Sequence, residues 1–225
     1  SFFNPAGSAM VDTGIIADFD RLHSFKGGLK LRHHKNESLN NGLSDLPLPE
    51  KLYLSLRLNR GNVSKPIVNV GDEVLKGQVI AKPDAAVGAY VHAPSSGRIT
   101  AISQCSTASP DAKTSTVIEL TTDGLNKWVS LPETKQVKDL SQEQILNSIH
   151  QAGLIGLGGA GFPTHLKYNS NSKAIDTLIV NGAECEPYIT CDEQLMIESV
   201  DELLQGSLLF LKAAKAKQAV FAIED

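Results

Sequence analysis

Between Gly153 and Gly161 five of nine residues are glycine, and this density rules out a regular helix or strand there. The loop reads Gly153-Leu-Ile-Gly-Leu-Gly-Gly-Ala-Gly-Phe-Pro-Thr164, with Lys167 close behind. A backbone without Cβ atoms can approach a phosphate or a flat ring closely, and its positive φ angles can aim several N–H groups at one anion. Downstream lies Ile175-Asp-Thr-Leu-Ile-Val180, a β-branched apolar run expected to form a buried parallel strand. The block Asn181-Gly-Ala-Glu-Cys-Glu-Pro-Tyr188 comes next. A glycine loop, a strand and an acidic turn therefore succeed one another. Gly156, Gly158 and Gly161 spell G-x-G-x-x-G, but a helical pattern precedes the loop and Pro163 interrupts the residues after it. That context argues against an ordinary dinucleotide fold, in which a strand leads into the loop and a helix leaves it.

The rest of the chain narrows the function classes. Its net charge is −4, no basic stripe occurs, and only 5% of residues are aromatic, so nucleic acid is not an expected partner. The most apolar stretch, Leu203 to Ala214, is broken by Gln205, Gly206 and Lys212 and falls far short of the ~20 residues that span a bilayer. No direct membrane span is expected, and attachment to a membrane would go through a partner. Cys105, Cys185 and Cys191 are odd in number and widely spaced, and no signal segment precedes them, which favours a reducing compartment.

Taken in order, residues 1–24 lack a period and read as a flexible segment or a cloning remnant. His33 and His34 lie among Arg32, Lys35 and Asn36 and read as a solvated loop. Pro47 to Leu56 alternates as a half-buried strand should. From residue 63 to 103 short strands are expected at Val68-Asn-Val70, Val74, Gly77-Gln-Val-Ile80, Val91-His-Ala-Pro94 and Arg98-Ile-Thr-Ala-Ile102, separated by glycine turns, a small barrel or sandwich. Thr116 to Leu120 reads as an edge strand. The expected organisation is α+β with two domains. An all-β barrel-sandwich hybrid covers 25–135, and an α/β domain covers 140–225, its sheet incomplete after a second buried strand at Ala219–Ile223. Ser141 and Gln144 have the spacing of a capping box, Ile145, Leu146, Ile149 and Ala152 form the buried face behind it, and Gly153 ends the helix. A later helix is expected to be capped by Thr190 or Asp192, with Gly206 marking a close contact or a break.

The turns Val70-Gly-Asp72, Gly77-Gln78 and Val91-His-Ala-Pro94 with Ser96-Gly97 resemble the barrel-sandwich hybrid of biotinyl and lipoyl domains. The hairpin tip Pro83 to Ala89 carries no lysine, which disfavours a swinging-arm carrier and favours a docking or spacing module. Together with Phe25-Lys-Gly-Gly28, Gly158-Gly-Ala-Gly-Phe-Pro-Thr164 and Asn181 to Thr190, these motifs fall in the order found in the C subunit of the Rnf (Rsx) electron-transport complex, which this chain resembles. The resemblance covers about residues 25 to 225. The two later motifs also resemble the FMN- and NADH-binding subunit of respiratory complex I. Arginine, glycine and an acid of that subunit are replaced by Leu157, His165 and Ala183, which leans toward the Rnf type.

The resemblance implies an electron-transfer subunit that passes electrons between NADH and iron–sulfur centres through FMN. It implies that Gly156, Gly158, Gly159, Gly161, Thr164 and Lys167 hold flavin, that Asn181 meets its ring, and that Glu184 and Glu186 face the nicotinamide nucleotide. Read without the resemblance, Lys167 and His165 are surface groups and the two glutamates helix caps or lysine partners. No residue is read as a catalytic acid or base or as a metal ligand. The family's two 4Fe-4S clusters sit on cysteine runs that this sequence lacks, so the chain is expected to be an N-terminal fragment. Partners implied are other subunits of a membrane complex, on the cytoplasmic side of the bacterial inner membrane, with peripheral attachment. Alternative readings are a corrinoid-reductase-type flavoprotein and a non-catalytic docking module.

Overall fold

The computed structural model describes residues 32–39, 42–57, 63–85, 87–106, 114–132, 135–157, 161–168 and 175–223. The chain divides into two compact units. One comprises Asp45–Leu178 and Leu208–Ala219; the other comprises the described residues up to Ser44, Ile179–Ser207, and the chain from Val220.

The first unit is built around two antiparallel sheets. Strands β1 (Lys51–Ser55), β3 (Glu73–Val74), β6 (Gly97–Ser106) and β7 (Thr114–Thr122) form one sheet in the order β1-β7-β6-β3. Strands β2 (Lys65–Pro66), β4 (Val79–Lys82) and β5 (Val91–His92) form the other, in the order β2-β4-β5. β7 is not the edge strand expected from its composition. It is paired along its length by β1 (Leu52 opposite Leu120) and by β6 (Ile102 opposite Ile118), because Val117, Ile118 and Leu120 are too apolar for an open edge. Val68 to Val70 forms no strand; Val68 is buried as a loop residue, and the paired residues lie at Lys65–Pro66. Leu56, Ile80, Ile99, Ile118 and Leu120 are fully buried in the core, each worth about 2–3 kcal/mol of transfer free energy.

Helix α1 (Gln142–Gln151) begins with the expected capping box: Gln144 N–H donates to Ser141 Oγ at 3.2 Å and Ser141 N–H to Gln144 Oε1 at 2.8 Å. It ends in a Schellman turn, with Gly153 N–H bonded to the His150 carbonyl, Leu154 N–H to that of Ile149, and Gly153 at φ 67°. A Cβ at Gly153 would overlap the Tyr90 carbonyl oxygen, so glycine is required there on two grounds. Ile145 and Ile149 pack with Ala213, Leu209, Phe210 and Tyr168 in a second, smaller core. Lys212 ties the same layer together by donating to the carbonyls of Val137 and Lys138.

In the other unit, α3 (Cys191–Glu198) is followed directly by α4 (Val200–Ala214), whose N-terminal half lies here. The interruption falls at Ser199. Gly206 neither breaks α4 nor makes a close contact: among the described residues nothing lies within 4 Å of where its Cβ would be. Strands β8 (Thr177–Gly182) and β9 (Gln218–Ile223) are hydrogen-bonded neighbours. Neither is buried as expected. Leu178 is covered, but Ile179 is 64% and Ile223 62% exposed, since among the described residues no layer packs over those side chains.

Candidate functional site

The described limbs of the glycine stretch, 154–157 and 161–164, pair antiparallel to one another. Gly156 N–H donates to the Phe162 carbonyl and Thr164 N–H to that of Leu154, both at 2.9 Å, with Ile155 bridged to a fully buried Pro163. Gly161 returns the chain at φ 58°. Gly158 and Gly159, expected to line the site, lie outside the described residues. The short helix α2 (Thr164–Lys167) then brings Lys167 round, and its Nζ lies 3.0 Å from the point a Cβ on Gly156 would occupy. Gly156, Gly161, Thr164 and Lys167 thus belong to one small structure, in which the exposed Lys167 side chain lies against the bare Cα of Gly156. The exposed cation there fits an anionic group.

Beside it, His165 stacks on His150 with ring centroids 3.9 Å apart, and Tyr90 meets His150 edge-on at 5.2 Å. Burial lowers both histidine pKa values, and His150 lowers that of His165 further. An open groove of about 600 Å³ runs along this face, lined by residues of α1 and by His165.

The acidic block forms a turn whose members have distinct roles. Asn181 Oδ1 accepts from Ala183 N–H at 3.1 Å, which closes the exit from β8. Glu184 is buried, and its carboxylate accepts from the N–H groups of Asp192 at 2.9 Å and Glu193 at 3.3 Å and from the Cys191 thiol at 3.4 Å. It therefore caps α3 from seven residues upstream, in place of Thr190 or Asp192; the Thr190 side chain makes no capping bond. Burial works against the charge of Glu184, but the Asp192 and Glu193 N–H groups, the Cys191 thiol and Lys35 outweigh it and hold its pKa below the ordinary value. Glu186 is exposed.

Residues 23–124 match the family described as the RnfC barrel sandwich hybrid domain, and residues 149–225 match the Nuo51 FMN-binding domain. The chain is 40% identical over 205 residues to the C subunit of the ion-translocating oxidoreductase complex of Haemophilus influenzae strain PittEE, covering 91% of this chain and 32% of that protein. It is 39% identical over 206 residues to the protein of the same name from Pectobacterium carotovorum, covering 92% of this chain and 27% of the relative. The chain belongs to the C-subunit family of ion-translocating oxidoreductase complexes. A further member, from Clostridium ljungdahlii, is named as the C subunit of a proton-translocating ferredoxin:NAD(+) oxidoreductase complex and is 37% identical over 206 residues, covering 91% of this chain and 45% of the relative. The chain spans less than half the length of each of these relatives.

Within this family member, the three cysteines do not fit a 4Fe-4S cluster, which takes four thiolates. Glu184, Cys191 and Asp192 converge, but the Glu184 carboxylate, with burial and Asp192 adding to it, raises the pKa of the Cys191 thiol and so disfavours the thiolate a metal would need. Both Glu184 oxygens are already engaged by α3. Among the described residues, no helix is long and apolar enough to cross a membrane.

Sequence reasoning missed Lys35, Tyr188 and His150. His34 and its neighbours do not form a merely solvated loop: His34 stacks on Tyr188, and the His33 carbonyl accepts from Tyr188 N–H. Two polar segments about 150 residues apart carry no local periodicity that would pair them.

Proposed function

We propose that the chain binds FMN at the glycine stretch and a nicotinamide nucleotide at the acidic turn, as part of an electron-transfer subunit of an ion-translocating oxidoreductase. The observation that carries this reading is the Lys167 ammonium set against the bare Cα of Gly156, within a region matching an FMN-binding domain. Gly156, Gly158, Gly159, Gly161 and Thr164 would present backbone to the flavin, Lys167 would neutralise its negative charge, and Asn181 would offer its amide hydrogens to the ring. Glu186, exposed at the centre of its turn, is the carboxylate assigned to ribose hydroxyls. Glu184 is reassigned as the group that holds that turn on α3. Bound FMN would supply the exchange between two-electron hydride chemistry and one-electron transfer; the protein's part is placement, charge and exclusion of water.

Residues 25–135 are assigned to a docking and spacing domain and 140–225 to cofactor binding. Other subunits of a membrane complex are the partners of this reading, with the chain peripheral on the cytoplasmic side. Electron delivery to iron–sulfur centres is assigned to the wider complex.

Titrating FMN with the chain and following flavin fluorescence tests the site. Saturable binding is expected, with Lys167→Met weakening it about tenfold or more, the usual loss for a charge-assisted contact. Equal binding by wild type and Lys167→Met would overturn the assignment of Lys167, and no binding by wild type would overturn the flavin site.

A further inference from the structure

We propose that residues 33–39, together with Leu43, are a positioning clasp for the acidic turn, with Lys35 the principal residue, and that they set the turn for a nicotinamide nucleotide. The nucleotide half of this inference rests on the function proposed above. The clasp half rests on contacts within one compact unit.

Those contacts hold both ends of the turn. At one end Lys35 Nζ donates to the Glu184 carbonyl oxygen at 2.6 Å. At the other, Tyr188 N–H donates to the His33 carbonyl at 2.9 Å, and the His34 and Tyr188 rings stack at 4.9 Å and 11°. The His34 ring is itself held by Glu37, Nδ1 to Oε1 at 2.7 Å. Further along, Leu43 N–H donates to Glu198 Oε1 at 3.0 Å and Gln194 Nε2 to the Leu39 carbonyl at 3.5 Å, which fixes α3 behind the turn. His34 at φ 54° and Tyr188 at φ 66° both sit in the left-handed region, which non-glycine residues keep only where their surroundings over-determine it.

The consequence concerns Glu186, which stands exposed between the two clasped residues, so its direction is set by what holds Glu184 and Tyr188. Lys35 also supplies charge. Among the described residues, the groups acting on the Glu184 carboxylate include the N–H groups of Asp192 and Glu193, the Cys191 thiol and Lys35, which contributes a positive charge. A contact that only filled space would do without that charge.

Lys35→Met, Lys35→Arg and His34→Ala in the chain test the inference. Carboxyl NMR titration without ligand decides the clasp: the Glu184 midpoint should rise in Lys35→Met and stay near wild type in Lys35→Arg. Amide exchange at Asp192 and Glu193 should quicken only in Lys35→Met. An unmoved midpoint with unchanged exchange would overturn it. NADH titration of the FMN-loaded chain decides what the turn is for. Lys35→Met should weaken NADH about tenfold with FMN affinity unchanged, His34→Ala about threefold, and Lys35→Arg should restore binding. Equal NADH affinity in Lys35→Met and wild type, or equal losses of FMN and NADH, would overturn the nucleotide role. If wild type binds neither ligand, the proposed function fails while the ligand-free titration still judges Lys35.

Discussion

The sandwich and the acidic turn are held by opposite means. In the sandwich, Leu56, Ile80, Ile99, Ile118 and Leu120 are fully buried and strand follows paired strand, so stability comes from many apolar contacts that share the load. Around the turn, Ile179, Tyr188, Ile189 and Ile197 are all exposed, and order comes from a few directed polar bonds centred on Glu184. A core of the first kind resists change but offers a ligand no polar groups. Directed bonds hold a turn in one geometry while leaving its outer face free, which is what a binding loop on a rigid support requires.

The largest way to break this contrast is Ile118→Ala. Ile118 is fully buried between neighbours on β1 and β6, so its truncation should cost about 2–5 kcal/mol of global stability. Urea unfolding followed by circular dichroism measures it. A cost below about 1 kcal/mol would mean that the sandwich is not the cooperative core.

Glu184→Ala should cost less, about 1–3 kcal/mol, and locally, because it strips the cap from α3. Faster amide exchange at Asp192 and Glu193, with exchange in β6 and β7 unchanged, is the expected pattern. The pH dependence follows from the depressed pKa of Glu184. Its contribution is fully present above the unfolded carboxyl value and is lost as pH falls through the lower folded value. Glu184→Gln should remove that acid-side loss, and a mutant that kept it would point to another carboxylate.

These two regions also differ in how much of them the sequence discloses. The capping box at Ser141 and Gln144, the glycine stop at Gly153 and the turns of the sandwich are legible because each is set by residues within a few positions of one another. The place of β7 between two partners is not, since composition shows that Thr116 to Leu120 is a strand but not what lies beside it. The role of Glu184 is half legible: helix capping is the ordinary reading of its position, whereas the removal of Thr190 and Asp192 from that role depends on the path of the intervening turn. Nothing local pairs Lys35 with Glu184 across 149 positions. The burial expected of β8 and β9 is not found, because an apolar run states a preference for cover, not its presence.

A smaller effect is expected from the His150–His165 stack, whose rings remain partly open to solvent. Burial lowers both pKa values, so the fold favours the neutral rings. Their contribution is present above the unfolded histidine value of about 6.5 and is lost as pH falls through the lower folded values, where two adjacent cations would repel. Thermal unfolding at a series of pH values should therefore show a slight loss of stability on the acid side of neutrality that His165→Phe reduces. An unchanged slope in that variant would show that the stack does not titrate with unfolding.

The smallest prediction has the opposite sign and sharpens the contrast from the side of the turn. Gly206 lies inside α4, where glycine is unfavourable relative to alanine because it loses more backbone freedom on folding. A glycine there is justified if a neighbour packs against its bare Cα, but among the described residues nothing lies within 4 Å of the Cβ position. Gly206→Ala should therefore stabilise the chain by about 0.5–1 kcal/mol, through the unfolded state as much as the folded one. Urea unfolding should show a higher midpoint at unchanged slope. Destabilisation instead would mean that a surface of α4 is covered by something in solution, and the sparse packing that sets this region apart from the sandwich would then belong to the isolated chain alone.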